Sequence, residues 1–195
     1  AVPCAYGTAE NMLLRAGVHE GQHVLVTGAS GGVGAAVVQL ARLRGADVTA
    51  VVSSGKADEV RALGAGRVVK RDAAVAGAIG EQSVDVVVDN VSGPDMDSLL
   101  ATLRRGGRYV SSGAVAGPLV SFDKRTFYLR DLTLIGCTAW DESVFRAVIA
   151  LLDRGDLHPP VAATWPLESI AEAQAAFLEK RHAGKHVHVP PAAGD

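Results

Sequence analysis

Short runs of apolar and β-branched residues alternate with segments of helical periodicity along most of this 195-residue chain. The runs contain few polar positions, which is typical of parallel strands buried on both faces of a sheet. They predict strands at residues 23–26, 48–52, 67–69, 84–89, 108–113 and 132–136. Between them, the spacing of apolar residues predicts helices at residues 7–17, 32–44, 56–63, 95–105 and 124–130.

The alternation of strands and helices is the pattern of a doubly wound α/β fold. We therefore predict a Rossmann-type parallel sheet of six strands in the order 3-2-1-4-5-6, with helices on both faces. Gly106-Gly107 is predicted to end the helix at 95–105, and the residues between the third and fourth strands are predicted to form a small connector.

The pattern changes beyond residue 140. A helix is predicted at 142–153, and Pro159-Pro160 then indicates a break. An amphipathic helix at 167–181 and a short strand at 184–190 follow. We divide the chain into a main domain, a C-terminal helix and strand, and a tail that we expect to be disordered, at residues 1–165, 166–190 and 191–195.

The composition limits the classes of function. A net charge of −2 argues against a nucleic-acid-binding surface, which needs clustered basic charge. No apolar run approaches the roughly 18 residues of a membrane span. Two cysteines, Cys4 and Cys137, do not make a disulfide framework, so we expect a reducing, cytoplasmic compartment. Because the chain opens on Ala1, we expect it to be part of a longer polypeptide.

A glycine-rich segment separates the first predicted strand from the helix at 32–44. Its sequence is Thr27-Gly28-Ala29-Ser30-Gly31-Gly32-Val33-Gly34. Glycine lets the backbone turn sharply and approach a pyrophosphate, and the start of the following helix attracts an anion. A tight turn without a ligand is the alternative, but the strand–loop–helix context favours a dinucleotide site. The candidate cofactor contacts here are Ser30, Gly31, Gly32 and Val33.

Further stretches, in order along the chain, resemble the medium-chain dehydrogenase/reductase superfamily, on the side of its quinone-oxidoreductase and enoyl-reductase-like members. Besides the glycine-rich segment, they are Tyr6-Gly7-Thr8-Ala9, Leu63-Gly64-Ala65, Gly106-Gly107-Arg108-Tyr109-Val110, Asp131-Leu132-Thr133-Leu134-Ile135-Gly136 and Gly184-Lys185. The resemblance implies an N-terminal substrate domain that carries most catalytic groups, which we expect upstream of Ala1. It assigns no catalytic residue to this chain and leaves open whether the longer protein binds zinc.

The glycine-rich segment also fits the pattern of short-chain dehydrogenases. Those enzymes need a Tyr with a Lys four positions later, because this pair moves the proton. At that offset, the tyrosines Tyr6, Tyr109 and Tyr128 are followed by Glu10, Gly113 and Leu132. The short-chain alternative therefore fails on its own chemistry.

The residues after the second predicted strand bear on the choice of cofactor. NAD-binding folds place an Asp or Glu there, whereas this chain has Ser53-Ser54-Gly55-Lys56. An acid would repel a 2′-phosphate, while the hydroxyls of Ser53 and Ser54 and the ammonium of Lys56 can hold one. Arg71 is a candidate for stacking on the adenine or for a second cation. Since NADPH-using relatives have a Ser/Thr-x-x-Lys run here, we predict NADPH; a solvated Lys56 is the alternative.

The nicotinamide end is expected across the carboxyl ends of the strands. Candidate contacts follow the fourth, fifth and sixth strands and are Asn90, Ser112, Gly113, Cys137 and Thr138. The resemblance adds Thr8 and Cys4, which match positions on the nicotinamide side in relatives. A nucleophilic role for Cys4 is disfavoured, because no histidine lies near it in sequence.

Two histidines alternate on the last predicted strand. His186 and His188 are expected to point to the same face, but no Cys or carboxylate accompanies them. A solvated or partner-facing pair is therefore favoured, and no metal site is predicted.

Together these features predict an NADPH-dependent oxidoreductase that transfers hydride to a quinone, an activated alkene or an enoyl thioester. A zinc-dependent alcohol dehydrogenase of the same superfamily and a non-catalytic NADPH-binding module are the alternatives. We also predict a homodimer, since the apolar strand at 132–138 lies at the sheet edge and relatives pair there. The alternative is that the helix at 142–153 covers this edge.

Overall fold

The computed structural model describes residues 2–53, 55–71, 75–179 and 182–191. The strands of its main sheet are β1 (His23–Val26), β2 (Asp47–Val52), β3 (Arg67–Lys70), β4 (Val84–Val88), β5 (Leu103–Ser111) and β6 (Thr133–Gly136). All neighbours are parallel, and their order is β3-β2-β1-β4-β5-β6. The predicted strand order is thereby confirmed.

Helices precede, connect and follow these strands. They are α1 (Val2–Arg15), α2 (Gly32–Leu43), α3 (Ala57–Ala62), α4 (Val75–Ile79), α5 (Met96–Thr102), α6 (Lys124–Leu129), α7 (Glu142–Asp153) and α8 (Ile170–Leu178). A 3-10 turn at Leu167–Ser169 precedes α8. None of the described helices combines the length and apolar character that crossing a membrane would require.

Helices pack on both faces of the main sheet because successive residues of a strand point to opposite sides. In β1, Val24 and Val26 belong to a buried cluster to which α1 and α2 contribute. Leu25, between them, belongs to a second cluster with Met96 and Leu100 of α5. The two clusters are the two halves of the core, and they leave the carboxyl ends of the strands free to form a site.

The prediction of a helix up to residue 105 is wrong at its C-terminal end. α5 ends at Thr102, and Leu103 adopts an extended conformation and begins β5. Leu103 is fully buried and pairs with Val84 of β4, so burial in the sheet outweighs continuation of the helix. Gly106, with φ of +75°, lies inside the strand where the pairing shifts register and does not end a helix.

Two elements were not predicted from the sequence. α4 lies in the segment that was predicted to be a connector. β7 (Val161–Pro166) follows Pro160 and pairs in parallel with β8 (Lys185–Val189), which forms a separate two-stranded sheet. α8 is also shorter than the helix predicted at 167–181. The division of the chain at residue 165 stays a prediction, and the tail from 192 to 195 lies outside the described residues.

Candidate cofactor site

The glycine-rich segment makes a tight turn between β1 and α2. Gly28 has φ of +57°, in the left-handed region that favours glycine. An ideal Cβ at Gly34 would lie 2.7 Å from Ala29 Cα and closer still to the Gly28 carbonyl oxygen, so the first turn of α2 rests directly on the loop. That turn contains no acidic residue, and Gly31 at the N-cap provides no side-chain hydrogen bond. The positive end of this 12-residue helix is therefore available to an anion.

Lys185 lies over this helix start. An ideal Cβ at Gly32 would be 2.7 Å from Lys185 Nζ and closer still to Cε, so the side chain fills the space above Gly32. The backbone holds it there, because Gly184 N donates to Ser30 O at 3.2 Å and Lys185 N donates to Pro160 O at 3.0 Å. The ammonium and the helix terminus are both positive, and an anion between them would relieve their repulsion. Lys185 was not a predicted contact, although Gly184-Lys185 carried part of the family resemblance.

The C-terminal segment also reaches the residues after β2. Lys56 Nζ donates a hydrogen bond to His182 O at 2.8 Å. Burial lowers the pKa of His182, and the charges of His186, Lys56 and Lys185 lower it further. The ammonium groups of Lys56 and Lys185, which are distant in sequence, therefore both lie close to His182. Ser53 is exposed at the end of β2, and Ser54 lies outside the described residues.

A narrow cleft opens at the carboxyl ends of the strands, beside the glycine-rich turn. Its lining residues are Thr27, Gly28, Val51, Arg71, Val75, Asp89, Val91, Ser92, Asp95 and Leu99. Arg71 is thus the predicted contact that faces this cleft. Asp89, which is completely buried, was not identified from the sequence. The signal that could have identified it is a carboxylate at the end of an otherwise apolar buried run.

Three of the predicted contacts for the nicotinamide end come together in the structure. Asn90 Oδ1 accepts hydrogen bonds from Ser112 N at 2.8 Å and from Ser112 Oγ at 3.0 Å. An ideal Cβ at Gly113 would lie 3.5 Å from Asn90 O. Met12 Sδ on α1 lies 3.2 Å from Ser112 Oγ, so α1 supports this end of the site. The loops that follow β4 and β5 therefore form one connected surface.

The other predicted contacts at this end are more dispersed. Cys137 is buried, and its backbone N donates to Ser111 O at 2.8 Å. Burial raises the pKa of the Cys137 thiol, although Arg15 opposes this shift, and a raised pKa disfavours the reactive thiolate. Thr138 is exposed, and Thr8 is half-buried on α1. Cys4 is exposed in the first turn of α1.

The histidines of the C-terminal unit contact aromatic rings. The ring centroid of His186 lies 5.9 Å from Trp165, 5.6 Å from Phe177 and 4.3 Å from His182. His188 Nδ1 is buried and has no hydrogen-bond partner among the described residues. Within the part of the chain that the structure covers, no three His, Cys, Asp or Glu side chains are grouped to hold a metal ion.

The strand order and the glycine-rich turn before α2 define a Rossmann-type α/β fold. Residues 32–154 match the zinc-binding dehydrogenases. The chain belongs to this family, and with it to the medium-chain dehydrogenase/reductase superfamily that the sequence resembles.

Two curated relatives illustrate the similarity. The chain is 35% identical over 190 residues to an acryloyl-coenzyme A reductase of Metallosphaera sedula, covering 94% of this chain and 55% of the reductase. It is 36% identical over 211 residues to the spectinabilin polyketide synthase system protein NorB of Streptomyces orinoci, covering all of this chain and 9% of NorB. The chain thus spans about half the length of the reductase and a small part of the synthase.

Solved structures show the same relationship. A cobalt- and zinc-bound thermostable alcohol dehydrogenase from Pyrobaculum aerophilum superposes with a TM-score of 0.84 at 33% identity, covering 95% of this chain and 55% of that one. The 2-octenoyl-CoA carboxylase reductase CinF, in complex with NADP and 2-octenoyl-CoA, superposes with a TM-score of 0.85 at 26% identity. That match covers 97% of this chain and 49% of CinF.

Proposed function

We propose that this chain is the NADPH-binding part of an oxidoreductase that transfers hydride to an enoyl thioester, a related activated alkene or a quinone. The observation that carries the proposal is the ammonium of Lys185 above the glycine-rich start of α2. The reductase names of the M. sedula relative and of CinF favour an enoyl thioester among these acceptors. The nicotinamide supplies the reactive hydride, while the residues of this chain bind and orient the cofactor.

The residues at the start of α2 fit a pyrophosphate. Its two negative charges would meet the free backbone N–H groups around Gly32 and the ammonium of Lys185. No salt bridge to Lys185 occurs among the described residues, so no carboxylate there competes with the cofactor for this charge. Lys185 would therefore bind a group that NADH and NADPH share.

The residues after β2 fit a 2′-phosphate. Ser53 replaces the acid that would repel it, and Lys56 lies beside the C-terminal segment with its Nζ on His182 O. Arg71 lines the neighbouring cleft, where it can approach the adenine. We assign the ribose and nicotinamide end to Asn90 and Ser112, with Cys137 and Thr138 offering backbone groups to the carboxamide.

Two substitutions separate these assignments. Lys185→Ala should weaken NADH and NADPH binding equally, because both contain the pyrophosphate, whereas Lys56→Ala should weaken only NADPH binding. Each charge-assisted contact is worth about 1.5–3 kcal/mol, or about 10- to 150-fold in affinity. The measurement is titration of both cofactors by calorimetry, at low and high salt, since salt should reduce both effects.

Lys124→Ala, on exposed α6 away from the cleft lining, is the control for loss of one positive charge. It should leave both affinities unchanged. Equal losses for NADH and NADPH in Lys56→Ala would show that Lys56 shapes the loop without recognising the phosphate. Wild-type protein that binds neither cofactor would refute the proposed function.

A zinc-dependent alcohol dehydrogenase of the same superfamily is the second candidate, and the similarity to the P. aerophilum enzyme favours it. The resemblance to zinc-using members implies that the metal-binding cysteine of such an enzyme would lie upstream of Ala1. Metal analysis and activity assays of the longer protein distinguish the enoyl reductase from the alcohol dehydrogenase. Stoichiometric zinc together with alcohol oxidation would identify the alcohol dehydrogenase.

We also propose a homodimer that forms along β6. β6 lies at the edge of the main sheet, and Leu134 on this strand is 38% exposed. α7, which was the alternative cover for this edge, packs against α1. Within the main sheet, β6 has β5 as its neighbour on one side. An exposed strand edge favours pairing with a second copy across a two-fold axis.

Leu134→Lys is expected to convert the dimer to a monomer at tens of micromolar, because a charge on an edge strand opposes strand pairing. Sedimentation velocity measures the change. Leu178→Lys is the control, since Leu178 is 74% exposed on α8, outside the main sheet. A monomeric wild-type protein, or equal dissociation by both variants, would contradict the β6 interface.

A further inference from the structure

We propose that Asp89 is the positioning residue of the cofactor cleft: its buried carboxylate holds the loop after β4 at the distance from the glycine-rich turn that the adenosine half of the cofactor needs. The inference rests on the proposed function. It concerns a residue that does not have to touch the cofactor itself and that acts through the backbone of residues 91 and 92.

Asp89 joins the ends of three strands. It follows β4, is completely buried, and accepts hydrogen bonds from the hydroxyls of Thr27, after β1, and Tyr109, on β5. Its carboxylate also accepts from Val91 N at 2.9 Å and Ser92 N at 3.1 Å. Four donors therefore converge on one side chain at the carboxyl edge of the sheet.

These four donors offset the free-energy cost of burying the Asp89 carboxylate. Within the described residues no Lys, Arg or His forms a salt bridge with Asp89, so the hydrogen bonds alone compensate for the loss of hydration. Burial raises the pKa of Tyr109, and its hydrogen bond to Asp89 and the charge of Asp89 raise it further. The phenol consequently stays protonated at neutral pH and can donate to Asp89.

The same bonds fix the shape of the loop. Ser92 has φ of +61°, a left-handed conformation that is costly for a residue other than glycine, and its N–H is held by Asp89. Val91 then stands against the glycine-rich turn, with its Cγ2 3.0 Å from an ideal Cβ at Gly28. Val91 and Ser92 line the cleft together with Arg71 and Val51, so a shift of the loop would change the shape of the cleft.

β4 supplies a matched control. Asp85 is 3% exposed, accepts from His23 N at 2.8 Å and pairs with Arg104, but it lies toward the opposite end of the strand and does not line the cleft. A purely structural role for Asp89 predicts that both carboxylates matter only for stability. A positioning role predicts a separate loss of cofactor affinity for Asp89 alone.

The test compares Asp89→Asn with Asp85→Asn in the full chain, by urea unfolding and by titration of NADH and NADPH. An amide at position 89 has one acceptor oxygen in place of two, so the four donors lose an acceptor and the loop is held less firmly. We expect both variants to lose stability. Asp89→Asn should weaken both cofactors by about tenfold or more, since both contain adenosine, whereas Asp85→Asn should bind them as the wild type does.

Tyr109→Phe provides a second variant if Asp89→Asn does not fold. It removes one of the four donors without touching the cleft and should weaken both cofactors in the same direction by a smaller factor. Wild-type affinity in Asp89→Asn or, where that variant fails to fold, in Tyr109→Phe would overturn the inference, as would an equal loss in Asp85→Asn. A wild-type protein that binds neither cofactor would refute the proposed function instead.

Discussion

Gly34→Ala is expected to lose about 100-fold or more in affinity for NADPH and to unfold at a lower urea concentration. The added Cβ would lie 2.7 Å from Ala29 Cα and closer still to Gly28 O. Both neighbours are backbone atoms, so the whole glycine-rich turn must move away from α2. Overpacking of this kind costs about 1–3 kcal/mol of stability, and the shifted turn no longer presents its N–H groups to the pyrophosphate.

Two other glycines serve as controls for Gly34→Ala. Gly66→Ala adds a Cβ whose nearest neighbour is Val48 O at 3.8 Å, so both stability and affinity should stay close to the wild type. Gly32→Ala meets only the far end of the flexible Lys185 side chain, so it should weaken binding more than stability. Wild-type binding by Gly34→Ala would show that the turn does not hold the cofactor.

A protein that consists of residues 1–195 is expected to bind NADPH and to show no turnover with quinones, enones or enoyl-CoA esters. The chain spans about half the length of the acryloyl-coenzyme A reductase that it resembles, and we assign none of its residues a role as catalytic acid or base. We expect a second domain to close over the site, which would position substrate beside the nicotinamide and exclude water.

The measurement is the loss of NADPH absorbance with each acceptor, beside a longer version of the protein that has the length of the acryloyl-coenzyme A reductase. The extended protein should turn over one of these acceptors at rates typical of enzymes, roughly 1–1000 per second. Reduction at such rates by residues 1–195 alone would mean that the catalytic groups lie within this chain. The polar groups around Asn90 and Ser112 would then be the candidates for catalytic residues.

The sequence by itself determined the six strands of the main sheet and their order. Buried parallel strands need continuous apolar runs, and glycine is needed where the chain turns or approaches another backbone closely; both signals are local. The segment around Gly28 and Gly34 shows both at once, which is why the candidate cofactor site could be placed before any contact was known. The match of residues 32–154 to the dehydrogenase family confirms the family to which these patterns pointed.

Only the tertiary structure decided the features that depend on residues distant in sequence. Leu103 begins β5 because the core beside Val84 buries it, although its neighbours favour a helix. β7 forms because β8 pairs with it, although helix α8 separates the two strands in sequence. In the same way, Lys185 contacts Gly32, and Asp89 accepts a hydrogen bond from Thr27. The residues of each pair are far apart in sequence, so no local pattern predicts the contact. Charge and hydrogen-bond partners of this kind are set by the packing of the folded chain, and they determine how the site works.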